Sequence, residues 1–156
     1  MKSLLVYYSR TGTTKKVAEA ISEKIDCDIE EIVDTKNRSG IFGFLTSGLE
    51  AIQKKEVPIE EIKKDPSEYD LVIIGSPTWM HNTPSPVRTY LSQVKGQIDN
   101  AAFFCTYGGT GYDKVFEEMQ NISGKKPITS LNLRARDVKK EDNTEKVNEF
   151  VSGLSG

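Results

Sequence analysis

Three short segments carry residue types whose spacing suits ligand chemistry. The first, Ser9-Arg10-Thr11-Gly12-Thr13-Thr14, has four hydroxyl residues and one glycine in six positions. It follows the apolar run Leu4-Leu5-Val6-Tyr7-Tyr8 and precedes an amphipathic helical pattern. A strand, a hydroxyl-rich turn and a helix start aim amide and hydroxyl donors at one point, and the helix end adds a partial positive charge. Such a turn is a cradle for phosphate. It lacks the Gly-Lys-Ser/Thr ending of a nucleotide-triphosphate loop and the glycines of a dinucleotide turn, so a monoester phosphate fits it best. The plainer alternative is a capped turn that spends its hydroxyls on local backbone bonds.

The second segment, Ser76-Pro77-Thr78-Trp79-Met80-His81-Asn82-Thr83-Pro84, holds the one tryptophan and the one histidine of the chain. A loop tryptophan offers a flat face to a planar ring, or else folds back as a lid on the core. His81 reads as a solvent-facing loop residue rather than a catalytic acid. Of Met80, His81 and Asn82, only Asn82 takes a left-handed conformation readily. The third segment, Thr106-Tyr107-Gly108-Gly109-Thr110-Gly111-Tyr112-Asp113, has three glycines that let backbone approach a ligand, with amides able to bond a heterocycle's edge. Its alternative is a mobile loop.

Other chemistries find little support. A single histidine does not make a metal cluster or a dedicated Ser-His-Asp site. No catalytic residue and no metal-ligand set is assigned. Cys27 and Cys105 show no CxxC spacing and read as two reduced thiols, as expected of a cytoplasmic protein. Cys105 reads as core. A net charge of −2 argues against nucleic acid and against an anionic membrane surface. The five-residue apolar run near the start is a strand rather than a signal peptide, and no segment suggests membrane insertion.

These segments need elements to hold them. At 156 residues the chain is expected to form one domain, 1–156. Strands are expected over 2–8, 28–33 (an edge), 69–75, 101–107 and 127–133. Helices are expected over 15–25, from Ser85 as N-cap with Pro86 in the first turn, over 113–121, and from an Asp142/Glu145 capping box to the end. Between 34 and 67, Ile41, Leu45, Leu49 and Ile52 recur at helical spacing, and Ser39 could cap that helix. Phe42 and Phe44 cannot both share their face, so at least one projects or packs under the crossover. Alternating strands and helices imply an α/β three-layer sandwich on a five-stranded parallel sheet. Ligands of such a sheet sit beyond the carboxyl ends of its strands, where the three segments fall.

In that order, each after its strand, the segments make the chain resemble the flavodoxin family, short-chain type, over essentially its whole length. Ser9, Thr11, Gly12 and Thr14 match the phosphate turn, Pro77-Thr78-Trp79 the second loop, and Tyr107-Gly108 the third. The resemblance implies a flavodoxin-like sheet of order 2-1-3-4-5 and non-covalent FMN. It places the phosphate on Ser9–Thr14, with Arg10 as an added cation, and the ring on Trp79. Backbone around Thr106–Gly111 would bond the pyrimidine edge, and Tyr112 is the candidate second stacking aromatic. A pocket lacking a cation near the ring would give a low potential. The implied function is electron transfer between a reductase donor and an acceptor enzyme, as a monomer. The alternative is an FMN-dependent NAD(P)H oxidoreductase of quinone, nitro or protoporphyrinogen type.

Overall fold

The computed structural model describes residues 1–36 and 38–155. Five strands, β1 (Ser3–Tyr7), β2 (Asp28–Glu31), β3 (Leu71–Pro77), β4 (Ala101–Tyr107) and β5 (Ser130–Arg134), form one parallel sheet of order β2-β1-β3-β4-β5. Central strands of such a sheet are covered on both faces and need near-continuous apolar sequence. Leu71 to Ser76 and Ala101 to Tyr107 meet that demand and are buried throughout. β2 is the exposed edge, and Glu60 N–H bonds Val33 C=O alongside it at 2.8 Å.

The pleat sends alternate residues to two cores. Leu4, Val6, Val72, Ile74 and Phe103 pack under helices α3 (Ser85–Gln93) and α4 (Tyr112–Ser123). Leu5, Ile73, Ala102, Phe104 and Leu133 pack under α1 (Thr13–Ser22) and α6 (Thr144–Gly153). Burying each such side chain contributes roughly 1.5–3 kcal/mol before chain entropy is counted. Gly75 marks the tightest point, because a Cβ there would stand 2.0 Å from Phe104 Cζ.

Several element ends differ from the sequence expectation. α1 begins at Thr13, two residues early, because Gly12 takes φ 91° and starts the turn itself. α3 has Pro84 at its N-cap and Ser85 inside the helix. α6 is entered from Asn143, so Asp142 and Glu145 form no capping box. A further short helix, α5 (Ala135–Lys139), follows β5 directly.

The largest departure is α2 (Gly40–Ile52). The helix forms where the periodicity places it, but its apolar stripe faces outward: Ile41, Leu45, Leu49 and Ile52 are all half or more exposed. Its inward residues are Ser47, Gly48, Glu50 and Ala51. The cause is a buried charge cluster. Arg38, with its side chain 4% exposed, pairs with Asp34 and with Glu50 at 2.7 Å, and Glu50 also binds Lys36 at 2.5 Å. Arg38 also donates to Ser47 Oγ at 3.0 Å. Small residues let the helix lie close, since a Cβ on Gly43 would stand 2.3 Å from the Arg38 backbone. Turning the helix over would take Glu50 away from the buried Arg38 and leave that guanidinium with Asp34 alone.

Candidate functional site

The carboxyl ends of β1, β3 and β4 open into one cleft. Its walls come from Ser9, Arg10, Thr11, Thr13 and Thr14 on one side, Pro77 to Met80 on another, and Thr106 to Gly108 on a third. All three segments singled out in the sequence therefore meet. Phe44 and Gly48 of α2 and Ala135 of α5 complete the lining.

The first turn is built by Gly12. Its left-handed backbone brings its own amide to Ser9 Oγ at 3.1 Å and starts the helix with Lys16 N–H on Gly12 C=O. The amides of Thr13, Thr14 and Lys15 precede that bond and have no intrahelical acceptor. Thr14 is fixed by a 2.7 Å hydroxyl bond to Thr106 at the end of β4, so the first and third segments are tied directly. Ser9 and Thr14 thus spend hydroxyls on structure, while the amides stay available.

The second segment closes as a tight turn. Trp79 and Asn82 exchange N–H···O bonds of 3.0 and 2.9 Å. The two central residues, Met80 and His81, have φ of 47° and 61°. Left-handed backbone therefore falls on Met80 and His81 and not on Asn82. Asn82 instead donates from its amide to Met80 C=O at 2.5 Å, holding the strained pair in place. Two such non-glycine residues in sequence cost on the order of 1–2 kcal/mol each. Behind them the buried Glu118 carboxylate accepts Thr83 N–H at 2.8 Å and pairs with Arg88 at 2.6 Å. Glu118 falls at an ordinary helix position of α4, and nothing in its spacing marks it out.

Trp79 is 7% exposed and packs edge-on to Tyr8, with ring centroids 5.4 Å apart. The guanidinium of Arg38 lies 5.1 Å from the indole centroid and that of Arg10 5.7 Å. Arg10 also lies 5.0 Å from the Phe44 ring. Two guanidinium groups therefore stand beside the Trp79 indole. Arg38 is balanced by Asp34 and Glu50, whereas no ion pair among the described residues involves Arg10. Burial, opposed in part by the nearby arginines, pushes the Tyr8 phenol up to about 12, so it stays neutral.

The third segment lies open at its centre, with free space around Gly108 and Gly109. Gly111 (φ 104°) caps α4 and lies against His81, 2.8 Å from where its Cβ would be. His81 Nε2 and Thr110 Oγ1 are 3.2 Å apart, which latches the second segment to the third. Tyr112 is not part of the cleft lining; its ring lies tilted against Tyr107 at 4.9 Å and edge-on to Phe116 at 6.2 Å. Gly12, His81, Asn82, Gly109, Gly111 and Tyr112 shape the three turns without lining the cleft itself. Cys105 lies beneath it, 3.1 Å from Thr78 Oγ1, and burial pushes its thiol up to about 12.

Free helix-end amides, hydroxyls and one unpaired guanidinium suit a phosphate. A buried indole beside an open glycine backbone suits a flat heterocycle. Comparison with known proteins agrees with this chemistry. The flavodoxin family model matches residues 2–150, and the chain belongs to that family. A flavoprotein from Lactobacillus acidophilus NCFM, solved in complex with FMN, is 30% identical with a TM-score of 0.74, covering 93% of this chain and 99% of its own. The apo-form of the flavoprotein from that organism is 28% identical with a TM-score of 0.65, covering 84% and 91%. Oxidised Flavodoxin 2 from Bacillus cereus shares the fold at 18% identity and a TM-score of 0.58, covering 99% and 98%. Among curated proteins none matches the sequence.

Proposed function

We propose that this chain binds FMN in the cleft and carries electrons between protein partners, a reductase that donates and an enzyme that accepts, in the cytoplasm. The observation that supports it most is the convergence of the phosphate-type turn, Trp79 and the Thr106–Gly108 backbone on one cleft. FMN supplies the redox chemistry; the protein supplies position and surroundings. The amides of Thr13, Thr14 and Lys15 with Arg10 would hold the phosphate, and Trp79 would face the ring. Thr78, fixed to Thr106 C=O at 3.1 Å, ties the tryptophan loop to β4, and the Glu118–Thr83 bond holds its far end. The resulting site is rigid on one side and open at Phe44 and Met80, which are both half-exposed. Such an opening lets electrons reach a docked partner. No helix among the described residues is long and apolar enough to cross a membrane.

A second reading, an FMN-dependent NAD(P)H oxidoreductase acting on quinones or nitro compounds, follows if Arg10, 5.7 Å from the Trp79 indole, serves the ring instead of the phosphate. A cation beside the ring stabilises a negative reduced ring and so favours two-electron reduction. Stepwise reduction of the FMN-loaded protein with dithionite tests the choice. Two resolved one-electron steps, with no turnover of NAD(P)H and quinone, are the expected result for a carrier. One concerted two-electron step with rapid NAD(P)H oxidation would replace it with the second reading.

A further inference from the structure

A second pocket lies at the β2 edge of the sheet and shares no lining residue with the cleft. Its volume is about 310 Å3, at the lower end of the ~300–1,000 Å3 of small-molecule sites. The chain builds it as a bowl. Residues 59–64 run beside β2 and are tied to it at two places. At one end Glu60 N–H bonds Val33 C=O at 2.8 Å; at the other the Lys63 and Lys64 amides bond the Glu30 carboxylate at 2.6 and 3.1 Å. Between the ties, the outer edge of β2 at Glu31 pairs with no backbone among the described residues. The gap left there is the pocket, and Ile29, Ile32, Ile59 and Ile62 supply its apolar walls.

Tyr90 of α3 forms its base. This residue is 1% exposed, and its hydroxyl has no hydrogen-bond partner among the described residues. A buried hydroxyl left unpaired is costly and uncommon in native folds. Burial, and after it the charge of Glu30, push the phenol well above the ordinary tyrosine value, so it stays protonated and able to donate. The Glu30 carboxylate that acts on this hydroxyl is itself part of the pocket lining. Glu30, Glu31, Glu60 and Glu61 stand there against Lys63 and Lys64. That excess of negative charge disfavours a carboxylate or a phosphate. The two ties close the bowl at both ends, so an extended peptide cannot run through it along the strand edge.

We infer that this pocket is a second ligand site, for a small neutral molecule with an apolar body and one oxygen that accepts a hydrogen bond from Tyr90. The isoleucines take the body, the phenol takes the acceptor, and the acidic rim turns anions away. Neither the site nor its test depends on what fills the cleft.

Amide NMR titration of the full chain, with FMN added, reads the outcome. Acetophenone is the probe, ethylbenzene its counterpart without the oxygen, and benzoate the anion. The expected result is saturable shifts at residues 29–33 and 59–64, with acetophenone bound about tenfold tighter than ethylbenzene or benzoate. Tyr90→Phe removes a hydroxyl that has no partner, so it keeps the fold, and it is expected to erase the preference over ethylbenzene. Ile62→Trp fills the bowl and is expected to abolish binding of acetophenone there. Absence of saturable shifts at those amides up to the solubility of acetophenone overturns the proposal. Shifts confined to the cleft residues Thr13, Thr14 and 106–108 overturn it too, as does a preference for acetophenone that Tyr90→Phe leaves unchanged.

Discussion

The Arg38 guanidinium lies 5.1 Å from the centre of the Trp79 indole while its Nη1 holds Glu50 at 2.7 Å. One buried cation thus fixes both the tryptophan of the cleft and the rotation of α2. Burial alone would raise the Glu50 carboxyl, but hydrogen bonds from Lys36 and Arg38, with their charges, together hold it below the usual glutamate value. A depressed folded value contributes stability above the unfolded value of about 4.3 and loses it as pH falls through the folded one. Glu50→Gln is expected to cost about 2 kcal/mol at neutral pH, short of the roughly 3–5 for breaking a buried pair because Asp34 remains. Urea denaturation should show this difference shrinking below about pH 4. A difference that grows there would contradict the assignment.

Trp79 lies at the junction of core and cleft. Removing it as Trp79→Ala is expected to weaken FMN binding roughly 10- to 100-fold, the worth of one base-type stacking contact. Trp79→Phe should retain most of the affinity and most of the stability. Quenching of flavin fluorescence reads both.

Glu118 touches none of the cleft yet holds the backbone of Thr83 just after the strained turn. Glu118→Gln leaves Arg88 with a weakened partner and is expected to destabilise by about 2–3 kcal/mol. Hydrogen exchange at the amide of Thr83 should quicken more than exchange in β4. Equal protection of Thr83 in the native and Glu118→Gln chains would make the bond unimportant to the loop.

Gly75 is the position where the sheet has no room. Gly75→Ala drives a methyl into the Phe104 ring and is expected to cost at least about 2–3 kcal/mol, typical of severe overpacking. Adding Phe104→Leu should recover part of the loss, as thermal unfolding would show.

The strands and the order of segments were legible because buried parallel strands need apolar runs, as residues 71–76 and 101–107 supply. The three turns were legible because hydroxyls, a lone tryptophan and paired glycines are unusual at strand ends. What was not legible depends on contacts distant in sequence. The rotation of α2 is set by Arg38 and Glu50, and a hydrophobic period gives a helix's face without saying which way it points. Left-handed backbone at Met80 and His81 runs against residue preference and is imposed by the Trp79–Asn82 closure. Tyr112 could not be placed from spacing, because its position is set by ring contacts with Tyr107 and Phe116.

The Ser9–Thr14 turn is proposed to select a phosphate and, through it, FMN. Titration of the purified, flavin-free chain with FMN and with riboflavin, read by fluorescence quenching, tests it most directly. The predicted result is FMN binding at least about 100-fold tighter than riboflavin, since charge-assisted hydrogen bonds contribute roughly 1.5–3 kcal/mol each. Arg10→Ala should narrow that ratio. Equal affinity for the two flavins, or no uptake of either, would contradict the account.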